Sequence, residues 1–335
     1  MSHGLSRRAL LRGALGAAGA AAVVGPLAAC GGGGAGGGGG RRVAIASGYG
    51  LSYAPLTVIE SQGWLSDALP GHTVEWTVLS GGSASRDGLL GGTLEFGTSG
   101  LGPFLLGRDG GVPWRIVTSL NNMPLQVVAL DERIQSLADI TEEDRISSPQ
   151  PGSIQAVVLA RAAGEKFDDP GRFEANLVAM PHPDALQALL SGQIAAAATA
   201  PPFQYQAVEE GARVLVDSYE AFGGPHGFNV VAALEDYAEE NPDVIEALHE
   251  NVARACEFIT DDPSRAAQIL AEAEDGEVTA EQYEDYLTRD GIEFTTTPQG
   301  VTGFGAFMEE IGEIRSAEDD WREHVFDTVA GEPGS

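Results

Sequence analysis

Lysine is almost missing from this chain: Lys166 is the only one, and all basic residues number 19 against 49 acids, a formal net charge of -30 at pH 7. Such a body has no basic surface with which to hold nucleic acid or an anionic lipid layer. Cysteine is nearly as scarce. Cys30 and Cys256 are the only two, too few for a disulfide framework or a Cys-based metal site. No His-x-Glu or similar ligand spacing stands out, so neither metal nor cofactor is expected. After Arg41 no apolar stretch is long enough to span a bilayer, which takes about 20 residues. That part therefore reads as a soluble body with room for two lobes. Acids crowd its last third, as in the runs 235–240 and 272–277, and read as a solvated surface.

The N-terminal segment differs in kind. Arg7 and Arg8, flanked by Ser6 and by Leu10-Leu11, precede a weakly apolar run from Gly13 to Ala29. That order is an export signal. The pair resembles a twin-arginine signal, and Leu27-Ala28-Ala29-Cys30 resembles a bacterial lipobox. Residues 1–29 are thus expected to be a signal peptide and Cys30 the lipidated residue. A diacylglyceryl group would supply the two chains that stable anchoring takes. Residues 31–40 are Gly with a single Ala, so 30–40 forms a tether, with a coil reach of about 16–19 Å.

From Arg42 the chain alternates strand and helix. Arg42 to Ser47 reads as a buried strand and Pro55 to Gln62 as a helix ended by Gly63. Thr73 to Leu79 is β-rich and leads through Ser80-Gly81-Gly82 into a helix near Ser83. Leu94 to Thr98, then Leu101 to Gly107, repeats the unit, and Trp114 to Ser119 adds a strand. A second block begins with a short helix, Ile134 to Asp139, and a strand, Arg145 to Ser148. It continues as helix Ile154 to Gly164, strand Asn176 to Met180, helix Pro183 to Ser191, strand Ile194 to Thr199 and helix Pro202 to Gly211. This is the grammar of parallel sheets. Two extended apolar segments, Gln126 to Leu130 and Phe228 to Ala233, join the blocks. The expected fold is therefore α/β, with lobe I from 41–125 and 232–335, lobe II from 126–231, two hinge strands and a ligand cleft between the lobes. Beyond Leu234 the chain reads as mostly helical. Ile245, Leu248, Val252, Cys256 and Ile259 fall on one helix stripe, which makes Cys256 a core residue.

The order of several short pieces resembles a known family, the substrate-binding proteins of ABC importers for nitrate, aliphatic sulfonates, taurine and thiamine-pyrimidine precursors. The pieces are Ala54-Pro55-Leu56 with Gly63-Trp64-Leu65, Leu79 to Ser83, Leu90 to Gly97, Ile134 to Ile140 and Pro183 to Ile194. The resemblance implies a periplasmic-binding-protein fold of type II that closes on a small anionic solute. It further implies a monomer on the extracytoplasmic face, delivering to a permease coupled to a cytoplasmic ATPase. A lipoprotein that presents ligand to a sensor is the alternative. The fold also resembles aryl-sulfinate desulfinases and the pyrimidine synthases of thiamine biosynthesis. The former use a cysteine where this chain has Ser47-Gly48-Tyr49, and the latter a Cys-rich motif that two cysteines cannot build, so catalysis is not expected.

Three Gly/Ser turns open helices at expected cleft positions: Ser80, Gly81, Gly82 and Ser83; Thr98, Ser99 and Gly100; and Gly152 with Ser153. Unpaired amides at a helix start can hold an anion without a formal cation, and the same residues can instead cap their own helices. Tyr49 and Tyr53 offer rings with hydroxyls, Phe203 a ring from the other lobe, and His226 a turn histidine beside the return hinge. Asn229 can hold the hinge or donate to the ligand. The family pattern often has an acid where this chain has Pro201, which argues against a ligand with an amine.

Overall fold

The computed structural model describes residues 41–273 and 278–335. Residues 1–29, expected to be a signal peptide, Cys30, the expected tether and part of the acidic run 272–277 lie outside the described residues. Among the described residues no helix is long and apolar enough to cross a membrane.

Strand β1 (Arg41–Ser47) pairs in parallel with β2 (His72–Val78). Between them run α1 (Ala54–Gln62) and α2 (Trp64–Ala68). Pro55 occupies the first turn of α1, where its missing N–H costs nothing, and Gly63 at φ 67° ends the helix in the left-handed region that favours glycine. Helix α3 (Gly82–Leu90), strand β3 (Gly97–Gly100), helix α4 (Leu101–Asp109) and strand β4 (Trp114–Ser119) follow. The strand expected over 94–98 starts three residues later. The chain joins β1 earlier, through an isolated parallel bridge between Ile45 and Phe96.

The second lobe holds β5 (Gln126–Ala129), β6 (Ile146–Ser148), α5 (Ile154–Phe167), β7 (Leu177–Ala179), α6 (His182–Leu190), β8 (Ala196–Thr199), α7 (Phe203–Glu209), β9 (Arg213–Asp217) and α8 (Ser218–Phe222). Its sheet order is β7-β6-β8-β5-β9. The βα strands pair in parallel, β6 with β7 and β8, whereas β5 is antiparallel to both neighbours. The helix expected over 134–139 shrinks to a single 3-10 turn, Leu137–Asp139. Ser136 and Asp139 close it with reciprocal side-chain bonds to backbone N–H groups.

Returning to the first lobe, β10 (Asn229–Leu234) inserts between β3 and β4, antiparallel to both. The two crossings thus lie between Ser119 and Gln126 and between Phe222 and Asn229. They are stitched together: Phe228 N–H donates to Asn121 O at 3.2 Å, and Asn122 bridges to Gly227 and to Glu293. A third pass of chain, near Glu293, therefore braces the two crossings, which just precede the segments 126–130 and 228–233 that were expected to join the blocks; these pair instead inside the sheets of the two lobes.

Helices α9 (Glu235–Glu240), α10 (Pro242–Asp261), α11 (Pro263–Ala273), α12 (Ala280–Leu287), α13 (Val301–Glu310) and α14 (Asp327–Ala330) complete the body. On α10 the stripe Ile245, Leu248, Val252, Cys256 and Ile259 is buried against α1 and the first sheet. Burial pushes the Cys256 thiol up to about 12, which leaves it protonated and inert.

Candidate functional site

Between the lobes lies a cavity of about 40 Å³, lined by Tyr49, Tyr53, Leu79, Ser80, Gly81, Gly82, Gly100 and Pro103 from the first lobe and its return residues Phe228 and Asn229. Pro149, Gln150, Ser153, Ile154, Gln155 and His182 line it from the second. A cavity that small admits water but no organic solute, for which pockets of roughly 300 Å³ or more are usual. The lobes therefore stand nearly shut.

Helices α3 at Gly82, α4 just after Gly100, α5 just after Ser153 and α6 at His182 start at this cavity. Their first amides need acceptors. On α4, Leu101 N–H finds Phe228 O at 3.2 Å. On α5, Ser153 Oγ accepts from Ala156 N–H at 3.2 Å. On α3 the residue before the helix is Gly81, which has no side chain to cap with. Its acceptor comes from the opposite lobe, where Gln150 Oε1 receives Ser83 N–H at 3.4 Å.

Close approach between the lobes depends on missing side chains. A Cβ on Gly102 would lie 3.1 Å from Gly152 O, so α4 and α5 meet start to start. A Cβ on Gly50 would lie 2.9 Å from Pro201 O and 3.0 Å from the Phe203 ring, and one on Gly48 would strike the Tyr53 ring at 2.5 Å. The Gly48-Tyr49-Gly50 loop can therefore lie against both walls.

Tyr53 points its hydroxyl at Thr98 and Asn229, and desolvation pushes its pKa up to about 12. Asn229 in turn donates from Nδ2 to Ser52 Oγ at 2.8 Å. His182 forms part of the second wall. Its ring stacks on Phe203 with centroids 5.5 Å apart, with Nδ1 2.9 Å from Thr199 Oγ1 and Nε2 3.4 Å from Gln155 Nε2. The Nε2 of Gln155 that faces the ring can only donate, so the ring proton sits on Nδ1 and goes to Thr199. Desolvation lowers the His182 pKa to about 4, which keeps it neutral near pH 7. The lining accordingly holds no Asp, Glu, Lys or Arg. Its polarity is that of amides, hydroxyls and helix starts.

The structure brings Tyr49, Tyr53, Ser80, Gly81, Gly82, Gly100 and Ser153 together at the cavity, with Tyr49 at its mouth, 45% exposed. Ser83 reaches it through its amide. Thr98 and Ser99 lie buried one layer below, where the Ser99 hydroxyl sits 2.3 Å from a Cβ position on Gly82. Three candidates stand elsewhere. Gly152 faces a separate groove beside α5, Phe203 backs His182 rather than lining the cavity, and His226 is enclosed by Tyr219, Phe222 and Phe304. There His226 Nδ1 donates to Gly227 O at 2.9 Å, while its Nε2 takes the Ser218 hydroxyl proton at 2.8 Å.

Gln150, Gln155 and His182 were not among the expected site residues. A polar residue between two prolines just ahead of Gly152-Ser153 was the available signal for Gln150. His182 opens α6.

The model of the NMT1-like family matches residues 39–273. Among solved structures, the alkanesulfonate-binding protein SsuA from Xanthomonas axonopodis pv. citri, bound to MOPS, is 18% identical with a TM-score of 0.70, covering 84% of this chain and 96% of that one. The nitrate-binding protein NrtA from Synechocystis PCC 6803 is 15% identical with a TM-score of 0.71, covering 86% of each chain. The aliphatic sulphonate binding protein SsuA from Escherichia coli is 18% identical with a TM-score of 0.65, covering 86% of this chain and 92% of that one. At these identities the likeness establishes the periplasmic-binding-protein fold. No curated protein sequence matches.

Proposed function

The chain belongs to the NMT1-like family, and from that premise we propose that it is the substrate-binding component of an ABC importer, lipid-anchored through Cys30 on the extracytoplasmic face. It captures a small anionic solute, sulfonate-like or related, by closure of its lobes, and releases it to a permease within reach of the Gly-rich tether. The single observation that carries this reading is the cavity. The starts of α3, α4, α5 and α6 converge on an interlobe space whose lining has no charged side chain at neutral pH. Amide donors and positive helix ends favour an anion there. No acid is present among the lining residues to pair with an amine. Capture and release need no catalytic group, and binding proteins are what the structural neighbours are.

The test is a thermal-shift panel of nitrate, simple alkanesulfonates such as ethanesulfonate, carboxylates and pyrimidines on the purified protein, with MOPS among the amine-bearing analogues. A ligand at a hundred times its dissociation constant adds about 2.7 kcal/mol to stability. A clear shift with one of the anions and none with amine-bearing analogues is expected; a shift with pyrimidines alone would replace the anionic class. Cys30→Ser, expressed in a bacterial host, should move the protein from the membrane fraction to the soluble one.

A further inference from the structure

Gln150 stands in the second lobe on a fixed base. Its backbone carbonyl accepts Ser153 N–H at 3.2 Å and the Ser148 hydroxyl at 3.3 Å. Its side chain crosses to the first lobe. There its carboxamide oxygen accepts from Ser83 N–H and lies 2.4 Å from where a Cβ on Gly81 would be. Only glycine at that position lets the oxygen in. The starts of α4 and α5 obtain acceptors within their own lobes, from Phe228 and Ser153, whereas α3 takes its side-chain acceptor from across the cleft. An amide group held at a helix start by a neutral carbonyl is satisfied, but less strongly than by an anionic oxygen.

We propose that Gln150 is a built-in surrogate ligand: its carboxamide oxygen occupies the donor site at the start of α3, links the two lobes, and must be displaced by an acceptor oxygen of the incoming solute. This rests on the binding reading above and deepens it. It makes Gln150 a specificity-determining residue, because a solute without an acceptor strong enough to replace a carboxamide oxygen gains nothing from entering. It also sets a threshold on affinity, since the bond to Ser83 is lost as the ligand's bond is made.

Two variants of the full chain test this. Gln150→Ala removes the surrogate, and Gly81→Ala leaves Gln150 intact while its new Cβ expels the oxygen. Hydrogen exchange without any solute should show the Ser83 amide exchanging about three- to tenfold faster in both variants, the worth of one modest hydrogen bond. Calorimetry with ethanesulfonate and nitrate should show Gln150→Ala binding the accepted anion about three- to tenfold more tightly than the parent chain. Unchanged exchange at Ser83 overturns the proposal. So does weaker binding of that anion by Gln150→Ala, which would make Gln150 an ordinary ligand contact. Faster exchange in both variants, with neither anion bound by any form, supports the surrogate role and rejects the sulfonate or nitrate class.

Discussion

Leu51 in the first lobe donates its backbone N–H to the carbonyl oxygen of Pro201 in the second, at 3.1 Å. This bond ties the walls of the cleft by main chain alone. Its geometry hangs on Gly50, which holds φ at 94° and whose missing Cβ leaves room for the Pro201 oxygen. Gly50→Ala should therefore both strain the backbone, by about 1–3 kcal/mol, and hold the walls apart. Binding of the accepted anion, followed by calorimetry, is expected to weaken about tenfold or more. Unchanged affinity would show that the loop does not report on closure.

The hydroxyl of Tyr53 meets Thr98 and Asn229 at the cavity floor. Tyr53→Phe keeps the ring and removes only that bonding, so stability in urea should fall by about 1 kcal/mol. If the hydroxyl also serves the ligand, affinity will fall in addition, and the two losses can be read separately by denaturation with and without ethanesulfonate or nitrate.

Burial lowers the pKa of His226 to about 4, against opposing contributions from the Gly227 carbonyl and Asp217, and burial likewise lowers His324 to about 4 beside Arg108 and Arg115. In the unfolded chain each titrates near 6.5. Between about pH 6.5 and 4 the unfolded state takes up protons that the folded state refuses, so stability falls as pH drops through that window and is level above it. Urea midpoints from pH 7.5 to 4.5 should show this slope, and His226→Gln should make it shallower. A level profile would mean that the imidazole at the hinge can be protonated without opening its aromatic enclosure.

Arg289 on the C-terminal side reaches Glu209 of α7 at 3.0 Å and Asp285 at 2.6 Å, with its guanidinium over the rings of Tyr205 and Tyr286. Tyr286 adds a hydroxyl bond to Glu209 at 2.9 Å. Because both acids are partly exposed, Arg289→Met should cost only about 1–2 kcal/mol, from lost cation–π contact as much as from charge. Arg289→Lys should recover less than half, since a point charge cannot bridge two carboxylates while lying flat on two rings. Urea denaturation of the three proteins checks the order.

Much of this architecture was legible from local chemistry. The strand, Gly/Ser turn and helix units predict the βα blocks, and apolar spacing marks the face of α10 that buries Cys256. Antiparallel insertion of β10 between β3 and β4 was not legible, because pairing partners more than a hundred residues apart leave no local mark. Nor was β9, a short edge strand with Val214 41% exposed. Among candidate site residues, Ser80, Gly81, Gly82, Gly100 and Ser153 come from turns that open a helix and do lie at the interlobe cavity, whereas Thr98, Ser99 and Gly152 come from the same turns and do not line it. The place of His226 was not legible, since Gly223-Gly224-Pro225-His226-Gly227 looks like a surface turn until Phe304 arrives from far along the chain. Gln150 escaped because its meaning lies in an amide contributed by the other lobe.

The uncharged lining of the cleft has a kinetic side. It is set in a chain with a formal net charge of -30 at pH 7, whose field repels anions before they arrive. For an anionic solute the association rate should therefore rise with ionic strength as the field is screened, over a Debye length of about 10 Å at 0.1 M salt. Once seated among neutral dipoles, the same solute would leave at a rate that salt hardly changes. Salinity would thus govern how fast this protein loads, and chemistry at the helix starts how long it stays loaded.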